Sequence, residues 1–389
     1  MNSNNIMNLY ADRLINHNTY SIDQNNVIDY LISNRLLDNR SIVDDGLEIY
    51  DISRKNRNIK ISTYVNSGLF LKQSNLHDIH SSIAIKRESL LYTLIQTEGE
   101  FAFLKDITPK IHNYDEKNNI MITDLIFGNT WNQYITLHPN MKIEIEVIAS
   151  LAHAVAKYHQ VFENAIINSD RLCFLPKTFV FKNLFVRPGP EIFVNLSQAN
   201  MTLIKHVQND LKASNTLEEL YLSWNTNTII HGDIKFDNII VSVNNGNVVN
   251  VITDWEMASI GDPAWDIGSI FQEFIRSWLM RLPILGNEKP LLLLQNSEES
   301  YQNMQNAIRV FWNAYLETVR KSNREANDLL LKSVKFCAAR LLQSVFEMLH
   351  SQNELNNVSV YMIQLSLNIL GNPSNSAIHF FGIPFKIDI

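Results

Sequence analysis

Hydrophobic and polar positions divide the chain into a strand-rich first third and a helical remainder. Apolar residues at helical spacing predict a helix over 24–37, which Asp23 can cap, and a second helix over 83–96. Alternating apolar residues bounded by turn residues predict antiparallel strands at 47–72, 111–114 and 119–123. Several short strands with one helix among them predict a small α+β lobe.

Beyond Phe127 the pattern is mainly helical. Long segments with helical periodicity lie at 143–162, 202–225 (with a break near Ser214), 267–280, 301–321, 326–350 and 358–370. Two short strand-and-loop units, 229–241 and 248–254, interrupt them. We therefore predict a small lobe over 1–124, whose first 45 residues form a helical extension, and a larger helical lobe over 125–389.

Composition excludes several classes of protein. The 389 residues are 46% hydrophobic, which is enough for a large core, and the net charge of −7 argues against nonspecific nucleic-acid binding. Cys173 and Cys337 have no CxxC spacing, so no disulfide framework or zinc site is predicted. The N-terminus lacks a signal-peptide core, and no apolar stretch approaches the ~20 residues of a membrane span. We expect a soluble cytoplasmic protein with no nucleic-acid or membrane partner.

The candidate chemistry lies in two polar loops that follow β-branched apolar runs. The first is HGDIKFDN at 231–238, and the second is DWE at 254–256. Phosphoryl transfer from a nucleotide needs positioned oxygen ligands for Mg²⁺ and an oxygen that orients the acceptor hydroxyl. Asn238 and Asp254 offer such ligands, and Asp233 can orient a hydroxyl. An H-G-D tripeptide alone also fits an ordinary turn with a capping Asp, so the prediction depends on the whole set in order.

The segments HGDIKFDNIIV at 231–241 and ITDWE at 252–256 closely resemble the catalytic and metal loops of the aminoglycoside phosphotransferase and choline kinase-like enzymes, whose fold is similar to that of protein kinases. The resemblance implies a catalytic aspartate, two magnesium ligands and two residues that support the catalytic loop. Asp233 matches the catalytic aspartate, and Asn238 and Asp254 match the magnesium ligands. His231 and Asp266, the latter in GDPAWD at 261–266, match the residues that support the catalytic loop.

The small lobe resembles the same family at two further places. Lys72, in GLFLKQ, matches the lysine that binds the α- and β-phosphates, and Glu88 on the next helix matches its ion-pair partner. The segment 121–128 resembles the hinge, where the backbone of Asp124 and Ile126 would meet the nucleotide base. The resemblance covers positions 45 to 270 and implies a two-lobed α+β fold with the nucleotide phosphates on the small lobe.

Three features depart from the protein-kinase pattern. A basic turn at 53–58, containing Arg54, Lys55 and Arg57, stands where a glycine-rich loop is expected. Glu256 replaces the glycine of Asp-Phe-Gly and is either a third metal ligand or a salt-bridge partner. Lys235, two residues after Asp233, resembles the lysine that serine/threonine protein kinases hold near the transferred phosphate.

The resemblance implies a magnesium-dependent phosphotransferase that moves the γ-phosphate of ATP or GTP to an alcohol group. The acceptor is either a small molecule (an amino alcohol, a sugar or an antibiotic) or Ser/Thr of a ribosomally made precursor peptide, as in lanthionine biosynthesis, with a partner protein. A nucleotide-binding pseudokinase is a third hypothesis, which the intact Lys72, Asp233, Asn238 and Asp254 oppose. Aromatic residues at helical spacing are predicted as core rather than as an acceptor pocket: Trp265, Phe271, Phe274, Trp278, Trp312 and Tyr315.

Overall fold

The computed structural model describes residues 20–38, 46–54, 56–64, 67–75, 78–161, 170–177, 184–244, 246–284 and 297–387. The chain forms two compact units. The small unit consists of residues 1–127 together with 253–257, and the large unit of 128–252 and 258–389. The segment 253–257 therefore belongs to the small unit although both of its chain neighbours belong to the large one.

The small unit is built on a five-stranded antiparallel sheet of order β1-β2-β3-β5-β4. Its strands are β1 Leu47–Asp51, β2 Arg57–Thr63, β3 Gly68–Gln73, β4 Ile111–Asp115 and β5 Ile120–Asp124. Helix α1 covers Val27–Ser33, helix α2 covers Ile79–Thr97, and a 3-10 helix follows at Gly99–Ile107. Apolar residues that alternate along the strands are buried in one cluster with residues of α1. In this cluster Val27 and Leu31 of α1 join Ile59, Leu71 and Ile122 of the sheet.

The large unit is mainly helical. Among its described residues, the helices are α3 Trp131–Leu137, α4 Ile145–Val161, α5 Gln198–Asn209, α6 Leu211–Leu222, α7 Pro263–Leu279, α8 Glu298–Val319, α9 Asn323–Met348, α10 Asn357–Gly371 and α11 Pro373–His379. Five short strands form two small antiparallel sheets, β6-β8-β9 and β7-β10. They are β6 Asn129–Thr130, β7 Thr228–Ile230, β8 Ile239–Asn244, β9 Asn247–Ile252 and β10 Ser259–Gly261.

Helices α7 and α9 pack closely through a glycine. A Cβ on Gly268 of α7 would lie 2.7 Å from the backbone oxygen of Ser333 and 2.8 Å from the backbone nitrogen of Cys337, both on α9. The aromatic residues predicted as core are all buried, four of them on α7 and two on α8, so that prediction is confirmed. Among the described residues, no helix is long and apolar enough to span a bilayer.

Two predicted helix boundaries were wrong because local capping decided them. Helix α1 has Asn26 as its N-cap, and Asp23 instead accepts hydrogen bonds from the backbone N–H groups of Asn25 and Asn26 at 2.8 and 3.1 Å. The predicted helix over 202–225 breaks at Asp210 rather than near Ser214. The Asp210 side chain accepts from the Ala213 N–H at 3.0 Å and so caps α6.

Candidate active site

Lys72 lies at the end of β3 with its ammonium group surrounded by carboxylates. Its Nζ is 2.8 Å from Glu88 Oε2 on α2 and 2.8 Å from Glu256 Oε2, and it also pairs with Asp254 Oδ1. Burial alone would lower the pKa of Lys72, but these carboxylates, Glu88 foremost, raise it well above its ordinary value. The lysine is therefore held as a cation.

Glu88 uses both carboxylate oxygens. Oε2 accepts from Lys72, and Oε1 accepts from the Tyr92 hydroxyl at 3.1 Å and from the Trp255 backbone N–H at 3.0 Å. Tyr92 lies one turn further along α2, on the same face. Glu88 thus ties α2 to the strand that bears Lys72 and to residues 254–256, which are named the metal loop after the resemblance, within the small unit.

The metal loop has an unusual backbone at Asp254, whose φ of +64° lies in the left-handed region that a non-glycine residue rarely adopts. This conformation precedes a short 3-10 turn, Trp255–Met257, in which Trp255 is buried. The Asp254 side chain stays 39% exposed, whereas that of Lys72 is 5% exposed. Asp254 therefore reaches Lys72 from a position that solvent can also reach.

Glu256 forms an ion pair with Lys72 and is held by three elements of the small unit. Its Oε2 accepts from Asn56 Nδ2 at 3.1 Å, and its backbone oxygen accepts from Arg87 Nη1 at 3.2 Å. Asn56 lies in the basic turn and receives a further hydrogen bond from Ser81. Oxygens of Glu88, Asp254 and Glu256 lie within 4.8 Å of one another.

The two predicted hinge residues, Asp124 and Ile126, and the basic turn belong to the small unit. Asp124 ends β5, with its backbone N–H donating to the Lys110 oxygen at 2.8 Å, and Ile126 lies partly buried two residues later. In the turn, Arg54 is exposed, and Arg57 Nη1 donates to the Ile22 oxygen at 3.3 Å. Lys55 lies outside the described residues.

In the large unit, residues 231–238 join β7 to β8 and are named the catalytic loop after the same resemblance. Asp266 of α7 binds the first two backbone N–H groups of this loop. Oδ2 accepts from His231 N at 2.7 Å and Oδ1 from Gly232 N at 3.1 Å. The Tyr158 hydroxyl of α4 also donates to Oδ2, at 2.7 Å. Asp266 is fully buried. A buried carboxylate needs hydrogen-bond donors in place of water, and these three donors supply them. Asp266 can therefore stay buried and fix the start of the loop.

Phe236 anchors the far end of the catalytic loop. Its ring stacks on Trp131 at a centroid distance of 5.1 Å and meets the edge of Phe274 at 5.0 Å. Its backbone N–H donates to Glu273 Oε2 at 2.9 Å. Asp266 fixes the loop at His231, and the aromatic contacts and this hydrogen bond fix it at Phe236. The residues between them are therefore held at both ends.

The carboxylate of Asp233 lies between two cations of the large unit. Lys235 Nζ is 2.9 Å from Oδ2, and Arg340 Nη2, from α9, is 3.5 Å from Oδ1. The backbone oxygen of Asp233 accepts from Asn238 Nδ2 at 3.1 Å. The loop therefore presents a partly exposed carboxylate, a neighbouring ammonium group and an amide side chain.

Sequence reasoning did not find Arg340. The available signal was an arginine between Ala339 and Leu341 in an otherwise apolar stretch of the predicted helix, since a charged residue on a buried face needs a partner. Asn56 was named only as part of the basic turn, and its bond to Glu256 joins positions 200 residues apart.

The phosphotransferase enzyme family model matches residues 56–286, which include each predicted site residue. The chain belongs to this family. Comparison with curated proteins found no match. The resemblance read from the two loops is thus confirmed at the level of the family.

Solved structures place this phosphotransferase in the kinase-like fold. It resembles the choline kinase of Cryptosporidium parvum with a TM-score of 0.50 and 14% identity over 92% of this chain and 96% of that one. A glucosamine kinase gives a TM-score of 0.50 and 13% identity over 83% of this chain and 81% of that one. A macrolide 2′-phosphotransferase of Brachybacterium faecium gives a TM-score of 0.45 and 16% identity over 90% of this chain and 98% of that one. The predicted α+β kinase-like fold, with a small antiparallel sheet and a larger helical part, is confirmed.

Proposed function

We propose that this phosphotransferase moves the γ-phosphate of ATP or GTP to a hydroxyl group of a small molecule. The observation that carries the proposal is the buried Lys72, held between Glu88 and Asp254 inside the matched family segment. A buried ammonium group that its carboxylate partners hold in place suits the charge of a nucleotide triphosphate.

The small lobe, 1–124, is proposed to bind the nucleotide. Lys72 contacts the α- and β-phosphates, Glu88 keeps Lys72 in place, and the backbone of Asp124 and Ile126 meets the base. The bond between Glu88 Oε1 and Trp255 N supports this role, because it joins the lysine's partner to the metal loop. The larger lobe, 125–389, is proposed to supply the catalytic loop and to bind the acceptor.

Asn238 and Asp254 are the proposed ligands of Mg²⁺. The fit rests on donor chemistry, since an amide oxygen and a partly exposed carboxylate are the hard ligands that Mg²⁺ prefers. Glu256 fits less well, because its side chain is 19% exposed, against 39% for Asp254. When bound, Mg²⁺ would neutralise charge on the phosphates.

Asp233 is proposed to accept a hydrogen bond from the acceptor hydroxyl and to take its proton late, as the new O–P bond forms and the bond to the β-phosphate oxygen breaks. The loose transition state asks mainly for positioning and charge neutralisation. Lys235, 2.9 Å from Asp233, is proposed to contact the transferred phosphate. His231 and Asp266 hold the loop that carries both.

The test is transfer of label from γ-radiolabelled ATP and GTP with magnesium to amino alcohols, sugars, aminoglycosides and Ser/Thr peptides, with Asp233→Asn beside the wild type. We expect label on a small molecule and a loss of about 10²- to 10⁴-fold in the variant. Label on peptides alone would favour the peptide kinase. Nucleotide binding without transfer to any acceptor would favour the pseudokinase.

A further inference from the structure

Asp233 is contacted by two cations of different exposure. Lys235, on Oδ2, has a side chain that is 38% exposed, whereas Arg340, on Oδ1, has one that is 3% exposed. An exposed lysine has a flexible stem and is readily drawn to a new partner, while a buried guanidinium is fixed by its surroundings.

Arg340 is fixed by the same residue that braces the catalytic loop. Its guanidinium lies 5.2 Å from the centroid of the Trp265 ring, within the range of a cation–π contact. The indole N–H of Trp265 donates to the Gly232 backbone oxygen at 2.8 Å. Arg340 and the residue before Asp233 therefore share one rigid support on α7.

The burial of Arg340 needs an explanation, because a buried cation is costly unless it is paired. Asp233 is its ion-pair partner, and its Nε has no hydrogen-bond partner among the described residues. Glu273 also interacts electrostatically with Arg340, but it forms no ion pair with it; its carboxylate accepts from the Phe236 backbone and lies 3.9 Å from Arg276. A residue that served packing alone would not need a guanidinium at this place.

We propose that Arg340 is a positioning residue, which holds the Asp233 carboxylate towards the acceptor while Lys235 is engaged by the transferred phosphate. This inference rests on the proposed function. It assigns part of the reaction to α9, which lies beyond the family segment that ends at residue 286.

The test compares Arg340→Met and Arg340→Lys in the wild-type and Asp233→Asn backgrounds, using the acceptor found by label transfer. Arg340→Met should lower kcat about 100-fold, as expected for a misplaced group, with the nucleotide KM within about twofold. Arg340→Lys should recover part of kcat. In the Asp233→Asn background, Arg340→Met should cause little further loss, because the group that it positions is already disabled.

Lys335→Met is the matched control, since Lys335 also lies on α9 but pairs with Glu219 on α6. It should leave kcat unchanged. An equal fold-loss of kcat from Arg340→Met in both backgrounds would overturn the proposal, as would an effect confined to the nucleotide KM. If Arg340→Met does not fold, Arg340→Lys carries the same comparison.

Melting temperatures of the wild type, Arg340→Met, Asp233→Asn and the double variant separate this inference from the proposed function. If Arg340 contacts Asp233, the two substitutions should have non-additive effects on the melting temperature. If the effects on the melting temperature are non-additive but the wild type transfers no label, the proposed function is refuted and the contact between Arg340 and Asp233 is supported. If the effects on the melting temperature are additive and the wild type transfers label, only the proposed role of Arg340 is refuted.

Discussion

Asp266 binds two consecutive backbone N–H groups of the catalytic loop with its two oxygens. Burial by itself would raise the pKa of this carboxyl. Interaction with His159, whose Nε2 lies 3.5 Å from Oδ2, together with the charge of His231 and the hydroxyl of Tyr158, lowers the pKa below its ordinary value instead. The ionised form is therefore the one that the folded protein favours.

Asp266→Asn should remove a pH-dependent part of the stability. The folded pKa lies below the unfolded one, so the carboxylate stabilises the fold above about pH 4 and this contribution is lost as pH falls through the folded pKa. At neutral pH we expect the variant to be less stable by about 3 kcal/mol, because a buried charged acceptor is lost. Urea denaturation at several pH values measures both effects.

The same change at Asp328, which is exposed on α9, is the control and should leave the free energy of unfolding unchanged. The wild type should lose stability more steeply than Asp266→Asn as the pH is lowered below about 4. Parallel curves for the two proteins would show that the Asp266 charge does not stabilise the fold.

Residues whose role depends on local spacing could be predicted from the sequence. Asp233, Asn238 and Asp254 stand in a recognisable order, and the roles read from that order remain predictions. Arg340 could not be found, because it meets Asp233 across more than one hundred residues of chain. A helical period shows that a residue faces inward, but it does not show which loop that residue faces.

At the scale of elements, the contact between α7 and α9 sets the place of Arg340. The helices approach so closely at Gly268 that a methyl group there would overlap the backbone of α9. α7 also carries Trp265 and Asp266, which brace the catalytic loop. A shift of α9 relative to α7 would therefore move the guanidinium away from Asp233.

Gly268→Ala should destabilise the protein by about 2 kcal/mol, since overpacking outweighs the higher helix propensity of alanine. It should also lower kcat through Arg340. Chemical denaturation and acceptor kinetics measure the two effects. Gly371→Ala, at the end of α10, is the control, because a Cβ added there would have no atom within 4 Å and no loss is expected. Equal stability of the two variants would contradict the close-packing argument.

Strands of the small unit and the long helices were predictable, because their apolar periods differ. The short helix α3 was not predicted. Its seven residues span about two turns, too few to show a period, and Thr130 and Gln133 fix it through a capping box. The break at Asp210 was misplaced because a single capping side chain interrupts an apolar pattern that continues on both sides.

At the scale of the molecule, nucleotide binding and acceptor chemistry are assigned to different lobes. Lys72→Met should abolish the rise in melting temperature that ATP with magnesium produces, whereas Asp233→Asn should keep it. A ligand at about 100 times its Kd stabilises by about 2.7 kcal/mol, which is a measurable shift. Thermal denaturation with and without nucleotide gives the result.

Lys86→Met is the matched control on α2, since Lys86 pairs with Glu116 near the surface. It should retain the nucleotide-dependent shift. Loss of the shift in Asp233→Asn, or its persistence in Lys72→Met, would contradict the proposed division between the lobes.

The grouping of residues 253–257 with the small unit has a consequence for how the protein is made. Two of the three carboxylates around Lys72 come from this segment, as does the Trp255 N–H that binds Glu88. A ribosome delivers these residues only after about 125 further residues have followed residue 127. Until residue 257 has been delivered, Glu88 is the only one of these three carboxylates that the nascent small unit contains.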